Sequence, residues 1–144
     1  MKTPYLSALC RATVLASALL CVSCGPPKPE PPVSDLRWST VDSVYNLKSK
    51  TTDLQKDERW KEFKGQKVRW TGTVSSVDES FGSLTLQIKM NSDTFTSDLL
   101  ITLKDSERSK AMKFNKGHSV TFTGILNSWG TLLPITLKSG EIVN

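Results

Sequence analysis

Five polar side chains have the types needed for acid–base catalysis: Asp78 with Glu79, Asp105 with Glu107, and the single histidine, His118. General acid–base catalysis needs a group whose pKa lies near the working pH, which burial or a close partner provides. Neither carboxylate pair adjoins a histidine or an apolar run that would raise the pKa of one of its members. His118 directly precedes a predicted strand, where a structural role is commoner. The sequence therefore predicts no catalytic residue, and a hydrolase is the least favoured function.

The cysteines are confined to the start of the chain. Cys10, Cys21 and Cys24 all lie in the first 24 residues. No thiol follows them, which excludes a disulfide scaffold and a cysteine-based zinc site in the rest of the chain. His118 alone cannot form a multi-histidine metal site. We therefore expect no metal and no cofactor, and a domain that is held together by packing alone.

Residues 1–23 have the pattern of an export signal. Lys2 and Arg11 supply positive charge, and residues 12–22 form an apolar run. That run is too short to span a bilayer as a helix, which needs ~20 residues. If this segment is removed, 17 basic and 14 acidic residues remain, and the net charge falls from +5 to +3. A charge this mild weakens the case for an anionic polymer as partner.

The segment Leu-Leu-Cys-Val-Ser-Cys at 19–24 resembles the bacterial lipobox, in which a small residue precedes the cysteine that receives the lipid. The resemblance implies that Cys24 is lipidated, with acyl chains such as palmitate, and begins the mature chain. Cys21 stands where the family usually has leucine. The alternatives are an ordinary secretory peptide cut nearby and a chance apolar N-terminus. Gly25, rather than an aspartate, follows Cys24, and in the lipoprotein family this implies the outer membrane, facing the periplasm.

Residues 24–34 are predicted to be a proline-rich linker. Five of the eight residues at 25–32 are proline, a composition that favours the extended polyproline II conformation. At ~3.1 Å per residue, the linker would hold the following domain roughly 25 Å from the membrane.

Residues 35–63 are predicted to be a helical extension of two short helices. Ser39 and Thr52 each open a capping pattern, in which a side-chain oxygen accepts from the backbone amide three residues on. The second helix, 53–63, has only three large apolar residues: Leu54, Trp60 and Phe63. It should therefore be mostly solvated and bury only a thin stripe.

From residue 64 onward the apolar residues follow a period of two, which is typical of strands with one buried face. Five runs show this pattern or a short apolar core: 68–74, 84–90, 99–103, 120–126 and 132–137. A short helix at 107–113 is predicted between the third and fourth. The last run contains Pro134, which is tolerated only at an edge or a bulge.

Two of these strands repeat one string. Lys-Gly-x-x-Val-x-aromatic-Thr-Gly occurs at 64–72 and again at 116–124. Each copy ends on a glycine, Gly72 or Gly124, where a strand can coil sharply. Coiling strands in the order strand, strand, strand, helix, strand, strand are those of the OB-fold. We therefore predict a mainly β fold: a five-stranded, OB-fold-like Greek-key barrel at 64–144 with one helix between strands three and four, preceded by the helical segment.

On these strings, residues 64–144 resemble the small exported OB-fold domains that are related to tRNA-anticodon-binding-like modules. The resemblance implies a fold and brings no catalytic residue with it. Another small five-stranded barrel, or a short sandwich with the same coiling glycines, is the alternative.

OB-folds commonly bind ligands on the outer face of strands two and three, between the loops that join strands one to two and four to five. Those loops carry one aromatic residue each, and the neighbouring outward positions carry basic or amide side chains. The candidate ligand-binding residues are Phe81, Trp129, Arg69, Lys89, Gln87 and Lys67. They suggest a ligand with flat or apolar faces and some negative charge. The alternative is that both aromatic side chains fold back and plug the barrel ends.

The outward strand positions hold no aromatic residue on which bases could stack. Together with the predicted export, this leads us to expect no nucleic-acid partner. The leading hypothesis is a lipid-anchored, extracytoplasmic binding module of the cell envelope, non-catalytic, whose partners are the membrane and an unassigned small ligand or envelope protein. The alternative is an envelope interaction or exclusion factor that acts through residues 35–63.

Overall fold

A computed structural model describes residues 28–80, 82–91 and 95–143. The predicted signal segment 1–23, Cys24 and Phe81 lie outside the described residues. Within them, the helices and strands are α1 Trp38–Tyr45, α2 Asp53–Phe63, β1 Lys67–Ser80, β2 Ser83–Lys89, β3 Leu99–Leu103, a 3-10 turn Asp105–Glu107, α3 Arg108–Ala111, β4 Ser119–Ser128 and β5 Ile135–Ile142. The helix predicted at 107–113 is thus a 3-10 turn followed by a single α-helical turn.

The five strands close into a barrel in the order β1-β2-β3-β5-β4, with β4 returning to β1. Of the five strand pairs in the described barrel, β3–β5 is parallel and the other four are antiparallel. β1 pairs with β4 over residues 67–73 and with β2 over residues 73–80, and a register shift between Val74 and Ser76 marks the change. A bulge of this kind bends a strand and increases its twist. This is the topology of an OB-fold, and the predicted fold class is confirmed.

The barrel interior is filled with apolar side chains. Met90, which the period of two also places inward, is only partly buried. Seven other residues expected in the core are buried: Val68, Trp70, Leu86, Ile88, Ile101, Val120 and Phe122. Burial of a large aliphatic or aromatic side chain contributes about 1.5–3 kcal/mol relative to exposure. The coiling glycine also has a packing role, because a Cβ at Gly72 would collide with Ile88 and lie 2.7 Å from the sulfur of Met90.

Helices α1 and α2 form a cap on the barrel, which we call the helical cap. Val41 of α1 is fully buried, and Trp60 and Phe63 of α2 belong to the same hydrophobic core as the strands. Tyr45 packs edge to face on Trp60, with 5.4 Å between ring centroids. The thin apolar stripe predicted for α2 is therefore present, although Leu54 lies outside it and is exposed.

The two predicted helix caps have different outcomes. Thr52 and Gln55 form the complete reciprocal capping box at the start of α2. The cap predicted at Ser39 is wrong, because α1 already begins at Trp38 and its N-cap residue, Arg37, makes no side-chain cap hydrogen bond.

The described part of the proline-rich linker lies against the barrel. Val33 forms a parallel bridge with Lys67, and the Ser34 amide donates to the Lys67 carbonyl at 2.7 Å. The Glu30 carboxylate lies 2.7 Å from Lys67 Nζ and 2.6 Å from Lys104 Nζ. Both ammonium groups also contact Glu141. Residues 30–34 are therefore docked, and the 25 Å spacing expected of a free stalk does not hold.

The two ammonium groups change the acidity of Glu30. Hydrogen bonds from Lys104 and then Lys67 lower the pKa of Glu30 from 4.5 to about 2. A carboxylate with a lower pKa in the folded state stabilises that state fully above its unfolded pKa, and the contribution disappears as the pH falls toward the folded value. Docking of the linker should therefore weaken with acidification between pH 4.5 and about 2.

We expect Glu30→Gln to lower the free energy of unfolding at pH 7, because the two ammonium groups lose one of the two carboxylates that they share. The difference from wild type should shrink as the pH falls below 4.5, the ordinary pKa of the Glu30 carboxyl. Urea denaturation across this pH range measures both effects. Glu58→Gln, in an exposed pair with Lys61 on α2, is the control and should change little. Equal stability of Glu30→Gln and wild type at pH 7 would contradict a docked linker.

Candidate functional site

The outer face of β2 is polar and already connected by hydrogen bonds. Gln87 Nε2 donates to Asp78 Oδ2 at 3.2 Å, and Ser76 Oγ donates to the same oxygen at 2.6 Å. Ser97 Oγ donates to Gln87 Oε1 at 3.1 Å. Lys89, half-buried on the same face, also has an interaction within the protein. Both predicted β2 residues therefore lie where expected, with their polar groups engaged.

Lys67 and Arg69 lie on the half of β1 that pairs with β4, away from β2. The side chain of Lys67 is only 12% exposed, and its ammonium group holds the linker through Glu30. Arg69 is exposed. The predicted residues therefore do not form one continuous face, because the strand that carries Lys67 and Arg69 changes partner before it reaches β2.

Trp129, in the β4–β5 loop, packs against the helical cap. Its ring centroid lies 5.1 Å from that of Tyr45, and Lys56 Nζ lies 5.8 Å from its ring centre. The side chain is half-buried and contacts the core cluster. These are the contacts expected of an aromatic residue that closes a barrel end.

Two of the carboxylates considered for catalysis, Glu79 and Glu107, have structural partners. Arg108 donates to both oxygens of Glu79 at 2.6 and 2.7 Å, and this lowers the pKa of Glu79. Burial raises the pKa of Glu107, but hydrogen bonds from the Ile142 amide and the Lys110 ammonium group outweigh it, so the pKa is below the ordinary value. Across the described ranges, no cluster of three or more histidine, cysteine or acidic side chains is arranged to hold a metal ion.

A groove that the sequence did not reveal runs between residues 33–38 and β1. Six of its lining residues matter here: Ser34, Arg37, Trp38, Arg69, Trp70 and Thr71. Both arginines are exposed, and neither forms an ion pair with another described residue. Asp35 also lines the groove and is exposed. The groove therefore carries two guanidinium groups and one carboxylate.

The aromatic wall of the groove is fixed by hydrogen bonds. Trp38 and Trp70 pack edge to face with 5.5 Å between ring centroids. Trp70 Nε1 donates to the Leu36 carbonyl at 2.8 Å, and Trp38 remains half-exposed. The buried Ser34 hydroxyl has no hydrogen-bond partner among the described residues. Two guanidinium groups beside a held indole are suited to an oxyanion that carries a flat ring.

No single signal in the sequence identifies this groove. The dipeptide Arg-Trp occurs three times, at 37–38, 59–60 and 69–70, and only the first and third copies line the groove. Sequence reasoning separated the first copy from the third, because it assigned Trp38 to the helical segment and Trp70 to the barrel interior. The structure brings them together by laying residues 33–38 along β1.

Comparisons with known proteins find similarity of structure only. No protein-family model matches the chain, and no curated protein matches it. In the part of the chain that the structure describes, no helix is long and apolar enough to cross a membrane.

Several solved structures have a similar fold at low identity. A Klebsiella pneumoniae lipoprotein, for which nucleic-acid binding has been suggested, is 15% identical with a TM-score of 0.47, and the match covers 76% of this chain and 99% of that one. The S. pombe Stn1–Ten1 complex matches at 18% identity and a TM-score of 0.41, covering 54% of this chain and 58% of that one. Pyrococcus horikoshii asparaginyl-tRNA synthetase is 20% identical with a TM-score of 0.41, and the match covers 58% of this chain and 20% of that one. This chain thus spans less than two thirds of the last two.

The expectation of no nucleic-acid partner is contradicted by these neighbours. It had two premises, export and the lack of an outward aromatic residue. The first rests on residues 1–23, which lie outside the described residues. The second considered only positions on the strands. Trp38, at the start of α1, lies half-exposed at a groove with Arg37 and Arg69.

Trp129→Ala should lower the free energy of unfolding by about 1–3 kcal/mol, less than the 3–5 kcal/mol typical of a fully buried aromatic residue. The loss follows from the contacts with Tyr45 and the core. Urea denaturation measures it, and Phe95→Ala, at an exposed aromatic residue of the β2–β3 loop, is the matched control. Unchanged stability of Trp129→Ala would instead favour the ligand-clamp interpretation.

Proposed function

We propose that this chain is a lipid-anchored, extracytoplasmic OB-fold binding module of the cell envelope, non-catalytic, whose ligand binds in the groove between residues 33–38 and β1. The observation that carries this proposal is the placing of two guanidinium groups without ion-pair partners in the described chain, Arg37 and Arg69, beside the half-exposed Trp38. The ligand is negatively charged and has a flat apolar face.

The chemistry of the groove supports this class of ligand. Guanidinium groups bind carboxylate and phosphate through paired hydrogen bonds, and an indole offers a surface on which flat rings stack. The barrel interior is packed with apolar side chains, so a ligand binds on the outside. Asp35 offsets one of the two positive charges. One or two negative groups of a ligand therefore fit at the groove.

The non-catalytic part of the proposal rests on how the acidic groups are used. Glu79 is held by Arg108, and Glu107 by Lys110 and a backbone amide. His118 accepts a hydrogen bond from the Asn115 amide through Nδ1, at 3.3 Å. Each of these groups has a structural task, and none lines the groove.

The lipid anchor rests on the lipobox-like sequence that ends at Cys24. In a two-membrane bacterium, metabolic labelling with an alkyne analogue of palmitate should tag the wild-type protein and not Cys24→Ser. Cys21→Ser is the matched control and should stay labelled. Labelling that survives in Cys24→Ser would overturn the assignment of the lipid to this cysteine.

The groove is tested with the full chain carrying Cys24→Ser and two fluorescent probes, a single-stranded oligonucleotide and a mononucleotide. Arg37→Ala and Arg69→Ala should each weaken binding about tenfold, since a hydrogen bond to a charged group contributes about 1.5–3 kcal/mol. Each should also reduce the salt dependence of oligonucleotide binding.

Arg59→Ala provides the control for the groove, because Arg59 is exposed on α2 and pairs with Glu62. It should bind both probes as the wild type does. Failure of the wild type to bind either probe at low salt would overturn the proposed ligand class. Binding that is unaffected by Arg37→Ala and Arg69→Ala would move the ligand to another surface.

A further inference from the structure

The docked linker limits where the membrane can lie. Glu30 is held between Lys67 and Lys104, and Lys104 directly follows β3. Cys24 is six residues before Glu30, which spans roughly 20 Å at ~3.1 Å per residue. If Cys24 carries the lipid, as proposed above, the surface around Lys104 lies close to the bilayer.

The surface next to Lys104 is basic. We define the α3 end as residues 104–118 together with Val143. Residues 104–118 contain five basic residues and two acidic ones. Arg108 and Lys110 pair with Glu79 and Glu107. Lys113 and Lys116 are exposed and form no ion pair with another described residue, so their charges are available to a partner.

The α3 end also exposes apolar side chains between these charges. Met112 is 78% exposed and Val143 is 45% exposed. Val143 is held next to α3, because the Ile142 amide donates to Glu107 and Lys110 donates to the Ile142 carbonyl at 3.1 Å. Lysines around a small exposed apolar surface are typical of proteins that lie on an anionic bilayer.

We propose that the α3 end is a membrane-contact face for a bilayer that contains anionic phospholipids, with Lys113 and Lys116 at the headgroups and Met112 in the interface. This proposal rests on the lipid anchor of the proposed function for its geometry. Three observations agree on it: the short tether, the basic charge and the exposed methionine.

The direction of the strands decides how the groove at Trp38 is oriented relative to the membrane. β2 ends beside Met90 and Asn91, where α1 packs through Trp38, and β3 ends at Leu103, where the α3 end begins. Because β2 and β3 are antiparallel, these are opposite ends of the pair. With the α3 end on the bilayer, the groove at Trp38 faces away from the membrane, where a ligand can reach it.

The opposite end of the barrel also carries exposed apolar residues and two exposed lysines. Its loops expose Leu47, Phe95, Leu132 and Leu133, and Lys48 and Lys50 are in the α1–α2 loop. This end lies away from the point where the linker is held at Lys104. It supplies a matched control, since the same charge change can be made at either end.

The test uses the full chain with Cys24→Ser, without lipid, in cosedimentation with vesicles of phosphatidylcholine alone or mixed with phosphatidylglycerol. The protein should bind the mixed vesicles, and less at higher salt. Each lysine near an anionic surface contributes about fivefold in affinity, so Lys113→Gln with Lys116→Gln should weaken binding about 25-fold. Met112→Ser should weaken it further, and Lys48→Gln with Lys50→Gln should have little effect.

If both double lysine variants lost the same amount of vesicle affinity, the attraction would be a general charge effect. This result would overturn the proposal that one face contacts the bilayer. A loss confined to Lys48→Gln with Lys50→Gln would place the bilayer at the opposite end and overturn the proposal as well. No binding of the unlipidated protein to mixed vesicles would also overturn it. Palmitate labelling is a separate measurement. If it failed, the proposed lipid anchor would be wrong, but the vesicle result with the unlipidated protein would remain valid.

Discussion

β1 belongs to two antiparallel pairs at once, and the rest of the structure depends on this. Its first half pairs with β4 and its second half with β2, with a register shift near Val74. A strand can serve both neighbours only if it bends, and the close approach at Gly72, where a side chain would strike Ile88, permits that bend. Closure then buries the apolar core without any disulfide, because the chain has no cysteine after Cys24.

The double pairing leaves one edge of the first half of β1 without a strand. The linker supplies the missing partner, since Ser34 donates to the Lys67 carbonyl on that edge. From there residues 33–38 continue along β1 into α1, and this path creates the groove of Arg37, Trp38 and Arg69. The ion pairs of Glu30 with Lys67 and Lys104 hold the other end of the segment. The linker, the groove and the helical cap are thus consequences of one open strand edge.

The two proposals assign different tasks to opposite ends of the molecule. The end with α1 carries the aromatic and guanidinium groups suited to a flat anionic ligand, and the α3 end carries free lysines suited to an anionic bilayer. The linker is held nearer the second, at Lys104. An anchored protein with this arrangement presents its ligand groove away from the surface to which it is attached.

Local patterns in the sequence were enough for the first four strands, the α2 capping box, most of the core and the barrel class, because alternation and capping depend on neighbours within a few residues. The fifth strand lies at Ile135–Ile142 and not at the predicted run 132–137, of which Leu132 and Leu133 are exposed. The same reasoning could place Arg69 on an outer face, but not next to Trp38. Lys67 meets Glu30 from 37 residues away, and Trp129 meets Tyr45 from across the chain. Such contacts exist only after the barrel closes, since the partner of each outward side chain depends on which segment covers the open edge of β1.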